Sequence, residues 1–215
     1  MARELALILD MDGVIIDSNP VHRDVWAAYN RRFGIETDEA MQQRMYGRRN
    51  DDIVRDFYGC HLTLEEVRAH GAAKERLFRE TIGPVLNEAL VPGLREFLEL
   101  HRHQRLGIAT NAEPENVAFL LDTARLRQYF RAVVDGHQVA RPKPHPDIYL
   151  RAAQLLAVPP EDCVVFEDSL TGVQAARAAG MAVVGVGTTH DALPGVELQI
   201  RDFTSPALEP WLATR

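Results

Sequence analysis

The sequence predicts an α/β fold, a doubly wound (Rossmann-like) parallel sheet with a small α-helical cap inserted after its first strand. Three observations lead there. Short apolar runs recur along the chain, helical patterns lie between the later runs, and one gap between runs is far longer than the others.

The runs cover residues 5–9, 106–109, 132–134, 164–166 and 182–186. They are brief and do not alternate with polar residues, as expected of strands covered on both faces. Helical patterns follow at 115–124, 146–157 and 170–179, the last stopped by Gly180 in the usual place for a helix end. Strands alternating with helices imply right-handed crossovers in a parallel sheet. Between the first two strands, however, lie roughly ninety residues, where a crossover needs only a dozen or more. Residues 19–82 carry helical patterns and no convincing strand, and Pro84, Pro92 and Gly93 mark the return to the sheet. The domain reading is a core of residues 1–16 and 88–215 with a helical cap at 17–87. From Thr188 the tail is turn-rich, and Leu208, Trp211 and Leu212 are expected to dock on the core.

Composition narrows the function. The 215 residues are 46% hydrophobic and 26% charged, with a net charge of -7, which argues against a nucleic-acid or anionic-membrane surface. No apolar run reaches membrane-spanning length, and the one near the N-terminus is too short for a signal peptide. Cys60 and Cys163 could pair, but Cys163 opens an apolar run and reads as a core residue. The expectation is a monomeric protein of the reducing cytoplasm acting on a small molecule.

In an open parallel sheet, ligands bind beyond the carboxyl ends of the strands. The residues found there are Asp10 and Asp12, then Thr110 and Asn111, then Asp135, then Glu167 and Asp168, with Lys143 held between prolines in the loop 140–147. An ionised carboxylate at the end of a buried strand costs several kcal/mol unless something compensates it. Asp10, Glu167 and Asp168 form a hard-oxygen set suited to Mg²⁺, which would offset their repulsion. Each group alone has an ordinary structural use: Thr110 and Asn111 as a helix cap, Lys143 as a surface lysine, Glu167 to Ser169 as a capping signal. Four strand ends carrying these groups in this order favour chemistry.

The set "DMDGV" (10–14), "ATN" (109–111), "RPKP" (141–144) and "FEDSLTGVQAARAAGM" (166–181) resembles the haloacid dehalogenase-like superfamily, over essentially the whole chain. The resemblance implies that Asp10 is the nucleophile that forms an aspartyl-phosphate, and that Asp12 is the general acid and base. It implies Mg²⁺ held by Asp10, the Asp12 carbonyl and Asp168 with Glu167 close by, and phosphoryl oxygens held by Thr110, Asn111 and Lys143. Asp12 also sorts the chemistry. A departing halide needs no acid, so a second aspartate signals an oxygen leaving group and disfavours dehalogenation. Phosphonate hydrolysis, whose members lack this acid, is disfavoured too. A receiver-type phosphoacceptor needs no inserted cap, and a dead homologue would have lost one of these groups.

Within the superfamily the segment "VIIDSNPVHRDVW" is similar to the β-phosphoglucomutase-like group of capped phosphatases and mutases. By that likeness Asp17, Ser18, His22 and Trp26 match acid, hydroxyl, hinge histidine and tryptophan, and Lys74 falls near a substrate-contacting cap lysine. The departure is at Gly47, which is followed by Arg48, Arg49 and Asn50 where the mutases carry a serine-arginine pair that grips the distal phosphate. Arg48 and Arg49 could equally be a solvated helix start, and Trp26 cap core. The reading is a phosphatase of small phosphorylated metabolites of the sugar phosphate type, with Arg48 or Arg49 setting leaving-group preference; β-phosphoglucomutase is the alternative.

Overall fold

The computed structural model describes residues 5–45 and 48–215, so Gly47 lies outside the described residues. Six strands form one parallel sheet among them: β1 (Ala6–Leu9), β2 (Arg105–Ala109), β3 (Ala132–Val134), β4 (Cys163–Glu167), β5 (Ala182–Val186) and β6 (Leu198–Ile200), in the order β3-β2-β1-β4-β5-β6. The chain runs outward from β1 to β3, then returns to lay β4 on the other side of β1. The crevice at such a reversal is where open α/β sheets bind ligands. β1 is buried at every residue, as its unbroken apolar sequence requires.

Two apolar layers cover the sheet. Leu7, Leu9, Phe97, Leu106, Ile108 and Phe166 belong to one; Ile8, Val165, Ile148, Tyr149 and Ala176 belong to the other. Helices α6 (Pro114–Thr123), α7 (Asp147–Leu156) and α8 (Leu170–Ala178) match the predicted patterns within two residues at each end. The α8 N-terminus is capped by Ser169, whose Oγ accepts from the Gly172 N–H at 3.1 Å. Three elements were not anticipated: α5 (Leu94–Leu100), which precedes β2, the edge strand β6, and the short helix α9 (Leu208–Leu212). Leu208 and Leu212 do join the core as expected, with Trp211 packed beside them. Cys60 and Cys163 are both free thiols.

The long insertion is helical throughout its described part: α1 (Asn19–Arg31), α2 (Glu39–Met45), α3 (Asn50–Tyr58) and α4 (Leu64–Ile82). Thr63 and Glu66 form a capping box that starts α4. Trp26, Tyr29, Met45, Ile53, Val54 and Val67 make a small core of its own, while Val25, Phe78, Ile82 and Leu86 pack into the core beneath the sheet. The insertion is thus anchored at the base of α4 and has a separate interior further out. No described helix is long and apolar enough to cross a membrane.

Candidate functional site

The sheet reversal brings the strand-end residues together. The Asp10 N–H donates to the Phe166 carbonyl at 3.0 Å, carrying the β1–β4 register one residue past the strand. The chain then turns tightly at residues 11–16, with the Ile15 N–H bonded to the Met11 carbonyl at 2.9 Å. Gly13 has φ +77°, and a Cβ there would run into the Asp168 carboxylate. Glycine is required on both counts, because this loop must pass against the acid that follows β4. A Cβ at Gly172 would likewise collide with the Glu167 carboxylate.

Lys143 Nζ lies 3.0 Å from Asp10 and 2.6 Å from Glu167, and all three side chains are buried. Burial opposes the lysine's charge, but the two carboxylates outweigh it and raise its pKa. Burial, reinforced by Glu167 and Asp12 and opposed by Lys143, pushes Asp10 up to about 7. Asp168 is driven well above the usual carboxylate range by burial and by Glu167 and Asp10. For Glu167, burial pushes upward but Lys143 and the surrounding donors win and lower it. Those donors are Lys143 and the Tyr149 hydroxyl, each 2.6 Å from Oε1, and the N–H groups of Asp168 and Ser169 with the Ser169 hydroxyl on Oε2.

Asp12 lines the same cleft as Asp10, Lys143 and Asp168, and is more exposed than they are. Its Oδ1 accepts from Ser18 Oγ at 2.6 Å and stands 3.3 Å from His22 Nε2. Burial pushes this carboxyl up, but the His22 and Ser18 hydrogen bonds outweigh burial and hold it below the usual range. Thr110 and Asn111 line the same cleft, with the Thr110 N–H tied to the Val134 carbonyl at 3.0 Å.

Of the cap residues, His22, Trp26, Arg48 and Lys74 line the cleft. His22 stacks on Phe78 with ring centroids 3.8 Å apart, and its Nδ1 is 2.7 Å from Lys74 Nζ. Trp26 serves both readings, since it belongs to the small helical core and also borders the cleft. Arg49 points elsewhere, donating to the carbonyls of Gly136 and Val139 in the loop after β3. Asp135 also lies outside the cleft lining, its carboxylate folded back onto the His137 N–H and the Gln138 amide. Sequence reasoning missed Asn19, Thr189, Glu75, Glu113 and Asn116. Asn19 and Thr189 both bond Asp168, and Glu75, Glu113 and Asn116 line the cleft.

Asp10, Asp12, Thr110, Lys143 and Asp168 therefore line one cleft, with Glu167 buried behind Lys143. A family model for haloacid dehalogenase-like hydrolases matches residues 5–180. The chain belongs to the haloacid dehalogenase-like hydrolase family. Fructose-1-phosphate phosphatase YqaB of Escherichia coli is 34% identical, over 86% of this chain and 97% of that protein. β-Phosphoglucomutase of Bacillus subtilis is 31% identical over 95% and 92%. The crystal structure of β-phosphoglucomutase from Clostridium difficile superimposes with a TM-score of 0.88 at 23% identity, covering 98% of this chain and 96% of that one, a likeness of fold.

Haloacid dehalogenase-like enzymes generally use Mg²⁺. The residues here fit such an ion: carboxylate oxygens of Asp10, Glu167 and Asp168 lie within 4.8 Å of one another in a buried, oxygen-only cluster. Within the cluster the donors around Glu167 occupy both of its oxygens, which leaves Asp10 and Asp168 as the better-placed side chains.

Proposed function

We propose that this chain hydrolyses phosphate monoesters of small carbohydrates through a phosphorylated Asp10, with Mg²⁺ as cofactor and residues 17–87 acting as a cap over the core of 1–16 and 88–215. The observation that carries the reading is the division of labour between two aspartates. Asp10 lies 3.0 Å from the Lys143 ammonium, while Asp12 opens on the cleft under the control of Ser18 and His22.

In this reading Asp10 attacks phosphorus. Asp12, a carboxylate in the free protein, first takes up a proton, for which the acidic hydrogen of a monoanionic phosphate ester is a source; it passes that proton to the departing alkoxide, and as the carboxylate again it draws a proton from the water that opens the acyl phosphate. Lys143, the Thr110 hydroxyl and the Asn111 backbone hold the phosphoryl oxygens and offset charge as it develops. Asp10, the Asp12 carbonyl and Asp168 would hold Mg²⁺, with Glu167 orienting Lys143. The bound cation would supply charge neutralisation at the phosphoryl oxygens.

Hydrolysis is favoured over phosphoryl return to a sugar because a mutase needs a cationic grip at the far end of the cleft. Arg48 is the one of the two arginines that lines the cleft, and its guanidinium already bonds Asp56 at 3.0 Å. The deciding experiment supplies β-glucose 1-phosphate with a trace of glucose 1,6-bisphosphate and Mg²⁺. Inorganic phosphate without isomerisation supports the phosphatase; glucose 6-phosphate accumulating well ahead of phosphate would establish the mutase.

A further inference from the structure

The cap-side half of the cleft is built from charges that cancel or point the wrong way for a second phosphate. Among the described residues, Arg48 and Lys74 are the lysine and arginine side chains that border it from the cap. Arg48 is fastened back onto its own helices, with Nη1 3.0 Å from Asp56 and 3.1 Å from the Arg44 carbonyl, and Nη2 3.1 Å from the Asp52 carbonyl. Lys74 is buried 2.9 Å from Glu75. Against them stand two carboxylates that also line the cleft, Glu75 from α4 and Glu113 at the start of α6. Glu113 comes from the core side, and its carboxylate meets the Asn50 amide at 3.3 Å and the exposed His137 at 2.7 Å. Asn50 bonds Glu75 at 2.7 Å, and Asn116 bonds the other Glu75 oxygen at 2.7 Å. The two carboxylates are thereby linked across the gap between cap and core.

We infer that Glu75 and Glu113 select the leaving group: the cleft accepts monophosphates whose leaving alcohol is a neutral polyhydroxy chain or ring, and rejects bisphosphates of the same skeleton. The inference rests on the phosphatase reading above and specifies its substrate class. Carboxylates and amides are acceptors and donors matched to sugar hydroxyls, and a hydrogen bond to an ionised acceptor is stronger than a neutral one. A second phosphate would set a dianion against the Glu113 carboxylate, with the Lys74 charge cancelled by Glu75 and the Arg48 charge by Asp56, so that neither cation is free to offset it. The discrimination is therefore repulsive.

The test compares glucose 1-phosphate with glucose 1,6-bisphosphate, and fructose 1-phosphate with fructose 1,6-bisphosphate, in the wild-type protein and in Glu113→Gln and Glu113→Lys, all with Mg²⁺. For whichever skeleton is turned over, wild-type kcat/KM should favour the monophosphate by at least about tenfold, and Glu113→Lys should shift that ratio toward the bisphosphate by about tenfold or more. Glu113→Gln should shift it in the same direction by less, and it decides the matter if the lysine variant does not fold. A wild-type protein that uses the bisphosphate as well as the monophosphate, or a ratio unmoved in the folded variants, would overturn the inference. Failure to release phosphate from any of these or from an aryl phosphate would defeat the phosphatase reading instead. Calorimetric binding of the same pairs to Asp10→Asn then still decides: tighter monophosphate binding supports the selection by Glu75 and Glu113, and tighter bisphosphate binding refutes it.

Discussion

The Lys143 ammonium stands 2.6 Å from the Glu167 carboxylate, and neither side chain reaches solvent. Glu167 is satisfied by five protein donors, so it acts on the site by fixing Lys143 beside Asp10. Glu167→Gln preserves shape and removes the charge that holds the lysine. It should lower turnover or apparent Mg²⁺ affinity by about 10- to 100-fold, as changes behind metal ligands do. Glu167→Ala takes the nearer of two carboxylates from a buried ammonium, leaving Asp10, and should cost up to about 3–5 kcal/mol of stability. A Mg²⁺ titration of activity beside a denaturant melt separates the two effects. A glutamine variant with unchanged Mg²⁺ dependence and turnover would remove Glu167 from the site.

Metal removal follows from the same cluster. Asp10 is raised from an ordinary value of 3.8 to about 7, so in the metal-free protein it contributes stability at low pH that is lost as pH rises from about 4 through 7. A cation competes with that proton, so stabilisation by Mg²⁺ should grow across the same window. At a hundredfold excess over Kd the gain should be roughly 5–10 °C in Tm near pH 8, and much less at pH 5. Asp10→Asn should abolish most turnover, keep the fold, and show a smaller Mg²⁺ effect. Thermal melts with Mg²⁺ and with chelator at the two pH values give the comparison.

What could be read from the sequence followed burial. β1, β2 and β4 each carry an apolar run because the sheet is covered on both faces, and the polar residues that end those runs are Asp10, Thr110 and Glu167. β6 escaped because it is a three-residue edge strand with Gln199 at its centre, and α5 because it is two turns long and starts straight after Pro92 and Gly93. Position at a strand end was not sufficient, since Asp135 turns back on its own loop while Asp12 opens on the cleft. Asn19 and Thr189 reach Asp168 over long sequence separations that no local pattern encodes. Glu75 and Asn116 left a weak signal: each is a polar residue on the inward face of its helix, at a spacing shared with buried neighbours Phe78 and Leu120.

Arg49 supplies a prediction about closure. From the start of α3 it reaches across to the carbonyls of Gly136 and Val139, and a Cβ at Gly136 would press on the Asn111 carbonyl, so this clasp lies directly behind a phosphate-side residue. Arg49→Ala removes charged donors from two carbonyls, about 1.5–3 kcal/mol each at most, and should shift the cap toward open forms. X-ray scattering should show a larger radius of gyration, and KM should rise about tenfold or more, with Arg49→Lys restoring part of both. A scattering curve and KM identical to those of the wild type would show that the remaining cross-links, such as Asn116 to Glu75, hold the cap alone.

The buried pair Lys74–Glu75 makes the last prediction, concerning acid stability. Burial would raise the Glu75 carboxyl, but Lys74, His22 and the Asn116 amide outweigh it and lower it from 4.5 to about 2. A group whose pKa falls on folding contributes stability that is complete above its unfolded value and is lost as pH drops toward the folded one. The window here is about pH 5 down to pH 2, and the contribution at neutral pH is about 3 kcal/mol, roughly 6–12 °C in Tm for a chain of this size. Glutamine has the shape of the protonated acid, so Glu75→Gln should be destabilised by about that amount at pH 7 and should converge on the wild type near pH 2–3. Lys74→Met at pH 7 should cost at least as much, because it leaves the carboxylate buried without its cation. Urea melts of the three proteins at pH 7, 5 and 3 measure this. A stability gap between wild type and Glu75→Gln that persists undiminished at pH 3 would mean that Glu75 is held by its amide partners and not by Lys74.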